Sequence, residues 1–237
     1  ERMRFVIELS LLLIIFYCTW RGYRRGAVNA AISLAAVVIA ALCGFLIASS
    51  AAPSMAYPLR PFLAGYIDSQ LETEAARCAG IDETRIEDTI KENPELLTPY
   101  AESCLESLGF NRARAENYCG NAQRIYSDYE IDATTAAAHA GSEAVAYAIC
   151  AVIFFLLTML LLSLIKQIFG LRFRITDNVD IDLYGGAAFG FLRGFVYCIC
   201  LCWLLSFCGN MIGKTTLDDG LFSRFFLLLS NVADKIF

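Results

Sequence analysis

The sequence predicts an all-α membrane protein, in which a four-helix transmembrane bundle carries an extracytoplasmic helical insertion and a C-terminal amphipathic helix. Hydrophobic residues make up 57% of the 237 residues and charged residues only 18%, whereas soluble domains are about 45–50% apolar and about 25% charged. Four stretches are apolar over the roughly 20 residues that a helix needs to cross a bilayer. A long acidic segment separates the second stretch from the third.

The four predicted spans are approximately residues 5–20, 27–50, 143–165 and 185–208. The first span ends in Tyr17, Trp20 and Arg21, and such aromatic and cationic residues anchor a helix at the membrane surface. A signal peptide would instead end in small residues, so a retained helix is expected. The predicted segments are 1–50 and 143–209 for the two helix pairs, 51–142 for the insertion and 210–237 for the tail.

Basic residues in short loops predict the orientation, because Lys and Arg resist translocation. Two short loops, which four spans place on the same side, carry Arg21, Arg24, Arg25, Lys166, Arg172 and Arg174. Both loops are therefore predicted to be cytoplasmic. Both termini and residues 51–142 are predicted to lie on the opposite side.

The predicted insertion has seven basic and fifteen acidic residues, a net charge of −8. Asn93 followed by Pro94 is typical of a helix start, and Gly109 is typical of a helix end. An apolar face between them consists of Leu96, Leu97, Tyr100, Cys104, Leu105 and Leu108. We expect a small set of helices whose acidic residues form a solvated face, with recruitment of a basic partner as the alternative.

Ten cysteines raise the possibility of a metal or redox site. Seven of them fall in predicted spans, where cysteine behaves as a small apolar residue: Cys18, Cys43, Cys150, Cys198, Cys200, Cys202 and Cys208. Cys78, Cys104 and Cys119 lie in the insertion, so at most one disulfide forms among them. A chain with no disulfide is the open alternative.

Small residues recur every four positions in two spans. The second span carries Ala36, Ala40, Gly44 and Ala48, and the fourth carries Gly186, Gly190 and Gly194. Such stripes let a neighbouring backbone approach closely, so tight helix packing is expected, with a solute path along the glycines as the alternative.

Arg193 lies inside the fourth span, where an arginine costs about 2.5–3.5 kcal/mol at the bilayer centre. Snorkelling toward the headgroups would reduce this cost. Pairing with Asp182 would also reduce it, but such a pair would require a break in the helix near Gly185 and Gly186.

Two stretches, "RGYRRGAVNAAISL" and "DLYGGAAFGFLRG", resemble motifs of the colicin V production (CvpA) family of small bacterial inner-membrane proteins. The matching positions are Arg25, Gly26, Ser33 and Leu34 in the first motif and Asp182, Gly186, Gly190, Arg193 and Gly194 in the second. Asn29 and Leu183 stand where the family usually has basic residues. The resemblance covers both membrane halves but not residues 51–142.

The resemblance implies a multi-pass inner-membrane protein with an accessory or scaffold role in toxin production or export and in envelope maintenance. Its expected partners are the lipid bilayer and a membrane protein or a second copy of the chain. One alternative is a small oligomeric channel or transporter that uses the glycine-rich fourth helix and Arg193. A second alternative is an outward-facing sensor or binding module.

Catalysis and cofactor binding are not expected. His139 is the single histidine, and no phosphate loop, nucleophile elbow or zinc motif occurs in the sequence. A pI near 5.0 argues against a nucleic-acid partner. The tail, from residue 217 to 237, has an apolar side and a polar side that includes Ser223, which predicts a helix in the membrane interface or packed on the protein.

Overall fold

The computed structural model describes residues 2–66, 69–82, 85–129, 131–168, 179–207 and 221–236. In these ranges every regular element is a helix and no strand occurs, which confirms the all-α class. The α-helices are α1 (Arg2–Arg25), α2 (Ala27–Ala56), α3 (Arg60–Tyr66), α4 (Ser69–Ala79), α5 (Ile86–Glu92), α6 (Leu97–Ser107), α7 (Arg112–Tyr129), α8 (Ala133–Ile168), α9 (Val179–Leu205) and α10 (Leu221–Ile236). Short 3₁₀ turns cover Tyr57–Leu59 and Pro94–Leu96.

Four of the described helices are long and apolar enough to cross a membrane, as predicted. They include Phe5–Arg25, Ala133–Ile168 and Asp180–Leu205, and the second candidate runs over Ala27–Gly65. The first three continue beyond their predicted spans, whereas the fourth begins earlier than predicted, at Val179, and ends at Leu205, before the predicted limit at residue 208. Helix α9 runs unbroken through Gly185 and Gly186, so the break that an Asp182–Arg193 pair requires is absent.

The chain divides into two compact units. The first, here the membrane unit, consists of Glu1–Ala48, Ala151–Leu204 and Thr215–Phe237. The second, here the insertion unit, consists of Ser49–Cys150 and Leu205–Lys214.

Apolar side chains and small residues hold the membrane unit together. Leu11 of α1 is fully buried against Cys198 and Cys202 of α9. A Cβ on Gly44 of α2 would lie 3.1 Å from the carbonyl oxygen of Ala151 in α8, so these two backbones are also close. Dispersion contacts of this kind hold helices together where lipid supplies no hydrophobic drive.

Helix α10 packs on the membrane unit through a face that combines Phe226, from the predicted apolar side, with Ser223, from the predicted polar side. Ser223, predicted to lie on the polar side, is 1% exposed, and Phe226 and Leu227 are also buried. The ring of Phe226 lies 5.0 Å from that of Phe195 in α9. Phe222 and Phe225 are about half exposed, so an apolar side of α10 stays open to the lipid interface.

The insertion unit has a core of its own, built by α4, α5, α6, α7 and the start of α8. Tyr100 and Leu97 are buried at its centre. Gly109 has a φ of 100°, a left-handed conformation that ends the α6 segment as predicted. Asn93 precedes the 3₁₀ turn at Pro94, but its side chain makes no capping hydrogen bond.

Candidate functional site

The two motif stretches meet where α1 gives way to α2. Gly26 has a φ of 79°, which breaks the helix between Arg25 and Ala27. The carboxylate of Asp182 in α9 accepts a hydrogen bond of 2.8 Å from the backbone N–H of Ala27. Since the first N–H groups of a helix lack intrahelical acceptors, Asp182 supplies the cap that α2 needs.

The glycine stripe of α9 lies against the backbone of α1. A Cβ on Gly186 would lie 2.5 Å from the Gly22 carbonyl oxygen, and one on Gly190 would lie 2.5 Å from the Cys18 carbonyl oxygen. At Gly194 a Cβ would be 3.0 Å from the Cα of Ile15. The stripe is therefore a packing surface that α1 fills within the membrane unit.

The arginine turn at the end of α1 contains two kinds of arginine. Arg21 donates a 2.7 Å hydrogen bond to the Tyr17 hydroxyl and lies over that ring. Arg24 lies over the ring of Trp20 at 5.9 Å. Both are thus placed against aromatic residues one turn earlier, as interface anchors are. Arg25 makes neither contact and instead lines a cavity.

Arg193 points its guanidinium along α9 toward Tyr197. One of its terminal nitrogens donates a 2.9 Å hydrogen bond to the Tyr197 hydroxyl, and the guanidinium lies 5.2 Å from that ring. Its Nε is buried and has no hydrogen-bond partner among the described residues. Asp182 instead accepts a hydrogen bond from α2, and α9 is unbroken, so the Asp182–Arg193 pair that the sequence left open is not formed.

A cavity of about 320 Å³ lies beside Arg193 in the membrane unit. Arg25, Lys166 and Arg193 contribute cationic groups from three different helices. The other lining residues are apolar or carry a hydroxyl group: Ile32, Ser33, Ala35, Ala36, Ile39, Met159, Leu162, Ser163 and Ile165. Within the described chain this cavity has a cationic part and an apolar part, and no carboxylate lines it.

A polar centre in the insertion unit links α4, α6 and α8. The Thr134 hydroxyl donates to the Glu72 carboxylate at 2.5 Å, so the Tyr100 hydroxyl donates to Thr134, 2.8 Å away. Burial raises the pKa of Tyr100 and raises that of the neighbouring Cys104 to about 12. Both groups therefore stay neutral at physiological pH, and this arrangement stabilises the core.

A second carboxylate in this unit caps α8. Glu87 of α5 accepts a 3.0 Å hydrogen bond from the N–H of Ala133 and a 3.2 Å hydrogen bond from the Tyr126 hydroxyl. Burial and the Glu87 charge raise the pKa of Tyr126, so the tyrosine remains a donor. The negative charge also interacts favourably with the helix dipole of α8.

The cysteines form neither a disulfide nor a metal cluster in the described part of the chain. Cys78 is exposed, whereas Cys104 and Cys119 are buried, and all three are free thiols. Cys208 lies outside the described residues.

The family model of the colicin V production protein matches residues 7–80 and 119–231. The chain belongs to the colicin V production protein family. Among curated proteins and solved structures, none matches it. The family match extends into the insertion from both sides and leaves residues 81–118 of the insertion unmatched, so it covers more of the chain than the motifs suggested.

In this member of the colicin V production family, the motif residues form two groups. One group makes the joint, here the contacts among α1, α2 and α9, and the other lines the cavity. Gly26, Asp182 and the three glycines of α9 hold α1, α2 and α9 together. Arg25, Ser33 and Arg193 line the cavity. Leu34 is partly buried on α2, and no specific contact distinguishes it.

Three contributors were not recognised in the sequence. Gly22 packs against Gly186 and Gly190, and Lys166 is the third cationic residue that lines the cavity. The Tyr197 hydroxyl accepts a hydrogen bond from Arg193. The spacing from Arg193 to Tyr197, one helical turn, could have identified the last contact. Gly22 and Lys166 depend on contacts between helices, which no local pattern shows.

Proposed function

We propose that this protein is an accessory or scaffold protein of the bacterial inner membrane, which supports toxin production or export and envelope maintenance by binding a membrane protein or a second copy of itself. It carries out no reaction of its own. In the proposed orientation the arginine turn is cytoplasmic, and the insertion lies on the opposite side.

The observation that supports this proposal best is the occupied glycine stripe. Gly186 and Gly190 pack against α1 so closely that even a methyl group would collide with its backbone. A solute path along these glycines has no room, so the feature that favoured a channel serves packing. Exposed apolar residues on α8, such as Leu156 and Leu160, are available to lipid or to a partner helix.

A channel or transporter is the second candidate, because the cavity holds Arg193 together with two other cations. Charged groups inside membranes often mark solute pathways. This candidate requires that an anion cross the bilayer through the protein, which distinguishes it from an accessory role.

Two measurements test the proposal. In bacteria that lack the gene and produce the toxin, we expect the parent chain to restore toxin release. In liposomes that contain the purified protein, we expect anion flux no greater than in empty liposomes. Flux that requires Arg193, lost in Arg193→Ala and retained in the anchor variant Arg24→Ala, would contradict the accessory role and favour a transporter.

A further inference from the structure

The cavity bounded by Arg25, Lys166 and Arg193 concentrates positive charge inside the membrane unit. The Lys166 ammonium lines the same cavity as the two guanidinium groups. Like charges that approach one another in a medium of low dielectric constant interact strongly. Such a cluster costs free energy unless an anion joins it.

Among the described residues, no carboxylate forms an ion pair with any of these three cations. Asp182, the acidic residue of the same motif, is committed to the N-terminus of α2. The Nε of Arg193 is buried without a hydrogen-bond partner. The cavity is therefore lined by three cationic residues and, within the described part of the chain, by no carboxylate.

The arrangement of the lining suits a phosphate group. Arginine offers planar donors that match phosphate oxygens, and lysine adds a point charge. Basic pockets between transmembrane helices are also where the headgroups of anionic lipids bind. Ile39, Met159 and Leu162 extend the cavity with apolar surface, which an acyl chain would cover.

We propose that this cavity binds a phosphate-bearing anion through Arg25, Lys166 and Arg193. The phosphate belongs either to an anionic phospholipid or to a soluble phosphate compound, and both sources present the same chemistry to the three cations. This site is independent of the proposed accessory role, because a scaffold and a transporter could each contain it.

The test uses the full chain, purified in a neutral detergent at constant ionic strength. One arm measures binding of phosphatidylglycerol against phosphatidylcholine with the same acyl chains, by native mass spectrometry. The other arm measures the thermal midpoint in inorganic phosphate against chloride. Each arm compares the parent with Lys166→Gln, Arg193→Gln and the control Arg24→Gln, which removes a cation outside the cavity.

We expect phosphatidylglycerol to bind more tightly than phosphatidylcholine. Lys166→Gln and Arg193→Gln should each weaken this binding about tenfold, because each removes a charge-assisted hydrogen bond to the phosphate. Arg24→Gln should change it less than about twofold. The alternative result is that inorganic phosphate raises the thermal midpoint of the parent but not of Lys166→Gln or Arg193→Gln, with no preference between the two lipids. That result would support the site and identify the bound anion as a soluble phosphate compound.

Two results would overturn the proposal. One is that neither phosphate source binds preferentially to the parent. The other is that Arg24→Gln weakens binding as much as Lys166→Gln, which would indicate general surface electrostatics. Arg193→Lys keeps the positive charge and is the control for misfolding. Its affinity for phosphatidylglycerol should be closer to that of the parent than the affinity of Arg193→Gln is.

Discussion

Gly26 and Asp182 are 156 positions apart in sequence and together make the turn between the first two membrane helices. Gly26 adopts a φ of 79°, which L-residues with a side chain rarely adopt. A Cβ there would also lie 2.9 Å from the Cγ of Asp182. Glycine is thus required twice, once by the backbone and once by the carboxylate that caps α2.

A double-mutant cycle tests this joint. Gly26→Ala should lower the free energy of unfolding by about 1–3 kcal/mol, the cost of a strained conformation. Asp182→Ala should lower it by about 0.5–2 kcal/mol, the cost of a lost cap. The double variant should lose less than the sum, because removing the carboxylate makes room for the new methyl group. Denaturant titration in detergent measures all three.

Gly80→Ala is the matched control for this cycle. Gly80 has a similar φ of 72° but open space around its Cα, so this substitution carries the strain without the collision. Two results together would contradict the contact between position 26 and the Asp182 carboxylate. The effects of Gly26→Ala and Asp182→Ala would be additive, and Gly80→Ala would cost as much stability as Gly26→Ala.

At the scale of elements, helices of the membrane unit pair at glycines, because a residue without a side chain lets two backbones approach closely. The contact between α1 and α9 uses Gly22, Gly186 and Gly190, and the contact between α2 and α8 uses Gly44. Close backbones gain dispersion energy over a long surface, which is the main attraction between helices in lipid. The loss of stability on a Gly→Ala substitution should therefore depend on how much space surrounds the added methyl group.

A graded series of alanine substitutions tests this dependence. Gly190→Ala meets the Cys18 oxygen at 2.5 Å, whereas Gly44→Ala meets the Ala151 oxygen at 3.1 Å. We expect the first to destabilise by about 1–3 kcal/mol and the second by less. Gly120→Ala, in open space on α7, should be neutral or slightly stabilising, because alanine favours helix. Thermal unfolding of the three variants gives the order, and an equal loss at all three positions would contradict it.

At the scale of the whole molecule, an acidic insertion interrupts a protein that is otherwise solvated by lipid. Long exposed apolar surfaces on α1 and α8 are stable only where lipid or another protein covers them. The insertion unit has its own buried core and polar centre, as an aqueous segment requires. The proposed orientation places this segment on the extracytoplasmic side of the membrane and the arginine turn on the cytoplasmic side.

Cys78 provides a natural probe of this orientation. It is exposed, whereas Cys104 is buried, and burial raises the pKa of Cys104 to about 12, which keeps that thiol unreactive. We expect a membrane-impermeant maleimide to label intact spheroplasts, and we expect Cys78→Ser to remove most of the signal. Labelling of Cys78 only after permeabilisation would reverse the orientation.

The sequence by itself determined the class of the protein and the positions of its four spans. Hydropathy is a sum over consecutive residues, so Ala27–Ala56 and the other spans are visible without any partner. The motifs around Gly26 and Gly190 also identified the family, because they occur as short continuous strings. The sequence did not determine the helix ends. Helix α8 begins at Ala133, ten positions before the predicted span at residue 143, because its capping acceptor is the distant Glu87.

Only the tertiary structure decided what each motif residue contacts. The glycines of α9 face Gly22 of α1, Asp182 caps α2, and Ser223 turns inward on α10. Arg25, Lys166 and Arg193 line one cavity although they belong to three helices. The physical reason is that lipid stabilises an apolar helix whatever its rotation and whichever helix it packs against. The choice among pairings depends on close contacts between residues far apart in the chain.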